Sequence, residues 1–309
     1  MKADPRSSAE SKLPRLTSAC KAMDLVSTIL DGILLGGLYA LFAAGLSLIF
    51  GVMRLVNIAH GDLIILSAFI ALVVAGSLGL HPLACLVFVV PIMASLGYGL
   101  QRCMLNRTLG HDILPPLLVT FGLSVFLQNA LLQLFSADSR RLHAGGLETL
   151  HIDLPAGVAV GVLPCLMFIV AVAVIGGLQL LLYHTGLGRA FRSVSDDQEA
   201  AQLMGIDNAH LFGLAMALSL SIVSIAGVFL GIRTNFDPSI GPTRLIFAFE
   251  AIIIGGLGDL WGTLAGGVIL GVAQTLGAKI NPGYQILAGH IVFLIILTFR
   301  PQGFFPKTR

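Results

Sequence analysis

The chain has 309 residues, 56% of them hydrophobic and only 11% charged, with a mean hydropathy of +0.92. Soluble domains carry about 25% charged residues, so this composition excludes a soluble globular protein and predicts an all-α polytopic integral membrane protein. The net charge of +2, spread over scattered basic residues, leaves no footprint for a nucleic acid.

Residues 1–22 are polar and basic and lack the apolar core of a cleavable signal peptide. They read as an N-terminal extension, with Met23, where the apolar pattern opens, as an alternative start. A single transmembrane domain is expected over 23–300, with spans near 25–50, 62–80, 83–105, 113–135, 155–183 and 211–232. Each is long enough to cross a hydrocarbon core of about 30 Å. Asp31 lies in the first span, and Gln128 and Asn129 in the fourth. Between the first two spans Asn57, His60, Gly61 and Asp62 form a polar hinge, expected to turn the chain and cap the helix that starts near Asp62. Two such side chains make no metal site.

A charged island, RAFRSVSDDQEAAQLMG at 189–205, interrupts the apolar text within a loop at 184–210. Ser195 is placed to cap a helix with Gln198 completing a capping box, Asp196, Asp197 and Glu199 sit where the helix dipole favours anions, and Gly205 supplies a stop. A helix at 196–204 would be roughly 13 Å long, too short to span a membrane and suited to docking into another protein. Within it Glu199, Ala200, Ala201 and Gly205 follow an EAA-x-x-x-G spacing, in which small residues permit close approach of a partner groove.

The stretch 244–300 is apolar but broken by Gly255, Gly256, Gly258 and Gly262, and again by Asn281, Pro282 and Gly283. It holds two or three crossings, for a total of eight or nine transmembrane helices with glycine-rich broken segments. Glycine pairs four apart, including Gly32 with Gly36 and Gly267 with Gly271, predict tight helix crossings. Glu250 precedes the first break and His290 lies in the last span. Ionisable groups at membrane depth cost about 2.5–3.5 kcal/mol on insertion scales and usually face a protein interior or cavity. Glu250, Asp31, Asn57, His60 and Gln128 are therefore translocation-path candidates, Glu250 foremost because a glycine break lets backbone line a cavity.

Three crossings in 244–300 put Arg54, Arg102, Arg107, Arg189, Arg192, Arg300, Lys307 and Arg309 on one side, the cytoplasmic one by the positive-inside rule. The tail 301–309 and the 184–210 loop are then cytoplasmic and the N-terminus outside, with Arg140 and Arg141 outside beside Asp138, Glu148 and Asp153. The four cysteines, Cys20, Cys85, Cys103 and Cys165, have no metal-ligand or disulfide-framework spacing and read as small hydrophobes. Phosphate-loop, H-E-x-x-H and G-x-S-x-G patterns are lacking, so no catalytic residue, metal ligand or cofactor site is expected.

Four blocks carry a family pattern in order along the chain: GxxYALxAxGLxLIFGVxxxVN running into NIAHGD (36–62), LGRAFRSVSDDQEAAQLMGID (187–207), FEAIIIGGLGDLWGTLAGG (249–267) and FRPQGFF (299–305). Together they resemble the permease subunits of branched-chain amino-acid ABC transporters, the LivH type. The resemblance implies half of a heterodimeric channel in a bacterial plasma (inner) membrane, completed by a second, LivM-like permease. Two cytoplasmic ATPases, which would bind the ATP and Mg, and a periplasmic substrate-binding protein are the further partners it implies. It implies alternating access with no covalent chemistry on this chain, and it makes Ser195, Asp197, Glu199, Ala200, Ala201 and Gly205 the segment that couples to an ATPase. One departure is that IDNAHLFGLAMALSL after Gly205 lacks the Leu-Pro of the longer coupling pattern in other ABC importers. The alternatives are an ion-coupled secondary transporter working through Glu250, Asp31 or His290, and a channel or receptor using the 189–205 loop for a signalling partner.

Overall fold

A computed structural model describes residues 13–108, 114–154 and 158–305. The basic start of the extension and the tail positions Lys307 and Arg309 lie outside the described residues. The helices are α1 (Leu13–Met53), α2 (His60–Leu78), α3 (Leu86–Cys103), α4 (Leu114–Phe135), α5 (Val162–His184), α6 (Gly186–Asp196), α7 (Gln198–Leu203), α8 (Asn208–Arg233), α9 (Gly241–Gly255), α10 (Leu260–Ile280) and α11 (Gln285–Phe299). A small antiparallel hairpin, β1 (His151–Leu154) with β2 (Val158–Gly161), pairs His151 with Gly161 and precedes α5. Among the described residues, eight helical segments are long and apolar enough to cross a membrane. The region after 240 resolves into three helices, of which α9 has 15 residues and is about 22 Å long at 1.5 Å per residue.

The bundle is built around α1 and α8, the most enclosed spans, while α11 is the least. Helix α1 shows why so much glycine is present. A Cβ on Gly36 would lie 2.4 Å from Val268 Cα, and one on Gly271 would lie 2.3 Å from the Gly32 carbonyl. Only hydrogen fits at these positions, so α1 and α10 pack backbone to backbone, as the four-residue glycine spacing predicts.

Arg54 ends α1 with a φ of 52°, an uncommon conformation for a side chain with Cβ. The chain then turns back into the bundle without helical structure, with Leu55, Asn57 and Ala59 all buried. His60 Nε2 donates to the Phe42 carbonyl at 2.8 Å, about three turns back along α1. Helix α2 therefore starts deep inside the protein. Irregular backbone at such depth is tolerated where protein buries it, and Asn57 helps by accepting the Ala59 N–H at 3.0 Å.

The chain ends divide into two faces. One carries Arg54, the 186–205 segment and residues 301–305, where the Phe304 and Phe305 N–H groups donate to the Ile254 and Gly255 carbonyls at 3.0 Å. The other carries residues 136–154 and 158–161, joined to the α8–α9 loop by the Arg140–Phe236 bridge. On that second face Arg140 pairs with Asp138 at 3.4 Å and Arg141 with Glu148 at 2.7 Å. The cysteine expectation is only partly met: Cys85 is buried, but Cys103 is exposed on the bundle surface.

Candidate functional site

The charged island folds as two short helices with a sharp break between them. Thr185 caps α6 by accepting the Gly188 N–H at 3.1 Å, and α6 turns its apolar side chains Phe191 and Val194 into the core. Asp197 then leaves helical geometry and caps α7, its Oδ1 accepting the Glu199 and Ala200 N–H groups at 2.9 and 3.0 Å. The cap is thus Asp197 rather than Ser195, and the helix is Gln198–Leu203 within the expected 196–204. The reason is a tertiary contact: Ser195 donates its hydroxyl to the Gly51 carbonyl at 2.6 Å, which takes that side chain away from the capping position. Gly205, at φ 84°, closes the helix with the left-handed turn that glycine adopts at little cost.

This hairpin of helices is tied to the spans at three places. Ser195 holds the end of α1 through Gly51, Arg54 Nη2 donates to the Ser195 carbonyl at 3.3 Å, and Asn208 at the start of α8 donates from Nδ2 to the Gln198 carbonyl at 2.8 Å. Ala201 faces inward and is buried, whereas Asp197, Gln198, Glu199, Ala200 and Gly205 are exposed. Leu203 and Met204 stand 89% and 83% exposed, an apolar tip beside a carboxylate on the surface of the face. Beneath α6 a cavity of about 310 Å³ opens between Gly51, Val52, Tyr183, Phe191 and Gly258, and Arg192 lies over the Tyr183 ring at 5.0 Å.

The polar residues of the spans do not form one cluster. Asn57 and His60 are fully buried, and His60 lies against Gly45 of α1, whose carbonyl accepts the Ser219 hydroxyl of α8 at 2.8 Å. Asp62 is not a cap: Ala59 holds that position without a side-chain bond, and Asp62 Oδ2 instead accepts from the Ser124 hydroxyl at 2.5 Å, tying α2 to α4. Gln128 extends this link, donating to Ser124 Oγ at 3.1 Å. Glu250 is buried on α9 and hydrogen-bonds His290 of α11. Asp31 is exposed, one turn before Leu35 on α1.

Sequence reasoning missed Arg54, whose guanidinium reaches the Ser195 carbonyl from a distant part of the chain, and it missed Arg233 and Arg244. The sequence signal for the last two was that they flank one short loop, which marks each as a span end and no more.

The family described as branched-chain amino acid transport system / permease component matches residues 28–299. The chain is 30% identical to the high-affinity branched-chain amino acid transport system permease protein BraD of Pseudomonas aeruginosa, over 89% of this chain and 94% of that protein. It is 24% identical to the permease protein LivH of Escherichia coli K12, over 88% of this chain and 92% of that protein. The permease protein LivM of the same bacterium is 26% identical over 41% of this chain and 30% of its own length. The chain is therefore a multi-pass membrane protein that belongs to the branched-chain amino acid transport permease family, as a permease subunit of an ABC importer.

Proposed function

We propose that this chain is one half of the translocation pore of an importer for branched-chain or related amino acids, driven by ATPases on separate chains that dock on α7. The observation that carries the reading is the exposed tip of α7, with Glu199, Leu203 and Met204 projecting from a helix anchored to α1 and α8. Two large apolar side chains this exposed beside a carboxylate, on a helix anchored to two spans, fit a surface that a partner covers. Their anchorage supplies the transmission: a push on α7 reaches α1 through Ser195 and Gly51, and α8 through Asn208. The matching region of LivM supports a second, related permease as the other half of the pore.

In this reading the 186–205 face is cytoplasmic and the membrane is the bacterial inner membrane. A periplasmic protein delivers substrate to the opposite face, no catalysis takes place on this chain, and ATP with Mg is held by the partner subunits. Asp197, Ser195, Ala200, Ala201 and Gly205 shape the docking helix, and Glu199 touches the ATPase. The ion-coupled alternative places the driving force on Glu250 and His290, which are bonded to each other. The test is uptake in proteoliposomes holding the whole complex. ATP-dependent uptake that Glu199→Lys removes, with membrane insertion intact, supports the reading; uptake by this chain alone, abolished by a protonophore, overturns it.

A further inference from the structure

On the face opposite α7, a cavity of about 300 Å³ opens between α1, α8, α9, α10 and the start of α11. Its walls are partly apolar, with Leu38, Leu230 and Phe247 among them. Its polar edge is unusual in sign. Arg233 Nη1, Arg244 Nε and Gln274 Nε2 are all buried and have no hydrogen-bond partner among the described residues, and neither arginine has a carboxylate within 4.0 Å there. All three atoms are donors. Native proteins leave few buried donors unsatisfied, so three around one small cavity call for an acceptor that arrives from outside.

The groups are held in place for it. Arg244 lies over the Phe247 ring at 5.8 Å. Tyr39 donates its hydroxyl to Gln274 Oε1 at 2.5 Å, which fixes the amide so that its nitrogen is the free end. Gly289 of α11 packs on the Gln274 side chain, and the Phe247 ring of the lining lies 6.3 Å from the ring of His290, which is bonded to Glu250.

We propose that this cavity is a way station that binds the carboxylate of an apolar amino acid, with Arg233, Arg244 and Gln274 as the donors and Leu38, Leu230 and Phe247 against its side chain. Two guanidinium forks suit a carboxylate's two oxygens. The volume lies at the small end of the roughly 300–1,000 Å³ typical of small-molecule sites. A phospholipid presents the same chemistry, an oxyanion beside an apolar chain, so the test separates the two sources. The proposal rests on the importer reading above, and names the substrate group recognised by the permease itself.

The test is equilibrium binding of radiolabelled leucine to the complex purified from its own membrane into phosphatidylcholine nanodiscs, without binding protein and without ATP. The expected result is binding that 4-methylpentanoate, which keeps the carboxylate, displaces and leucinamide does not. Arg244→Gln weakens it at least about tenfold, as loss of a charge-assisted hydrogen bond implies, and Arg244→Lys weakens it less. Elution of both variants as intact complexes verifies folding. Absence of leucine binding to the wild type, or equal competition by leucinamide, overturns the proposal. So does native mass spectrometry showing an anionic lipid on the wild type that Arg244→Gln loses while leucine binding is unchanged. Presence of the ATPase in the purified complex tests the importer reading separately: its absence refutes that reading whichever way leucine binds.

Discussion

The cap at Asp197 offers a graded perturbation of the coupling helix. Six residues cannot hold a helix alone, because nucleation is unfavourable and isolated helices shorter than about 12–15 residues are marginal in water. Helix α7 persists because Asp197 satisfies two of its free N–H groups and because Ala201 is buried beneath it. Asp197→Ala removes both bonds, at a cost of about 0.5–2 kcal/mol for loss of a capping side chain. At 1.4 kcal/mol per tenfold, that raises the local opening equilibrium by about 2- to 30-fold. Asp197→Asn keeps an acceptor oxygen at the same place and removes the charge, so it should lose only a few tenths of a kcal/mol of favourable dipole interaction, at about the low end of that term. The assay is amide hydrogen exchange over 199–204 in the solubilised complex, read beside ATP-dependent uptake in proteoliposomes. The expected order for exchange rate is wild type, then Asn, then Ala, with uptake falling in the same order. Faster exchange in the Ala variant with uptake at the wild-type level would refute the claim that a formed α7 transmits the stroke, and unchanged exchange would refute the role of the cap.

Three further outcomes follow from named contacts. Ser195→Ala removes the bond to the Gly51 carbonyl, worth about 0.5–1.5 kcal/mol, and should lower uptake per ATP hydrolysed while the ATPase stays bound; an unchanged ratio would show that the link to α1 carries no stroke. Gly36→Val drives a side chain into the Val268 backbone, which cannot yield as a flexible side chain would, and at about 1–3 kcal/mol or more for overpacking should lower the melting temperature and the amount of protein in the membrane. A Gly36→Val protein as stable as wild type would mean that α1 and α10 do not approach as described. Glu250→Gln keeps hydrogen bonding to His290 and removes the carboxylate charge, so uptake should remain ATP-driven and insensitive to a protonophore; loss of protonophore-sensitive uptake in that variant would instead establish ion coupling.

Much of the architecture is readable from hydropathy, because a bilayer demands runs of apolar residues of nearly fixed length and the glycine spacing at 32, 36, 267 and 271 reports backbone contact directly. The start of α2 was harder to place. Nothing in the text NIAHGD tells that the chain re-enters the bundle before turning helical, since that depends on the packing of His60 against Phe42 across α1. The helix within 196–204 was legible in position, as Gly205 and the acidic run show, but the cap was misassigned because Ser195 finds a tertiary acceptor on Gly51 that no local pattern contains. The arginines of the outer cavity escaped for a related reason: each reads alone as a span terminus, and only the fold sets Arg233, Arg244 and Gln274 around one space.

The central claim is that α7 is where an ATPase grips this permease. The most direct measurement is affinity capture of the detergent-solubilised chain from its native membrane, with mass spectrometry of the accompanying proteins, for wild type and for Glu199→Lys. The account predicts that an ABC ATPase and a second, LivM-like permease accompany the wild type, and that Glu199→Lys loses the ATPase and keeps the permease. Capture of the wild type with no ATPase, or retention of the ATPase by the variant, would contradict it.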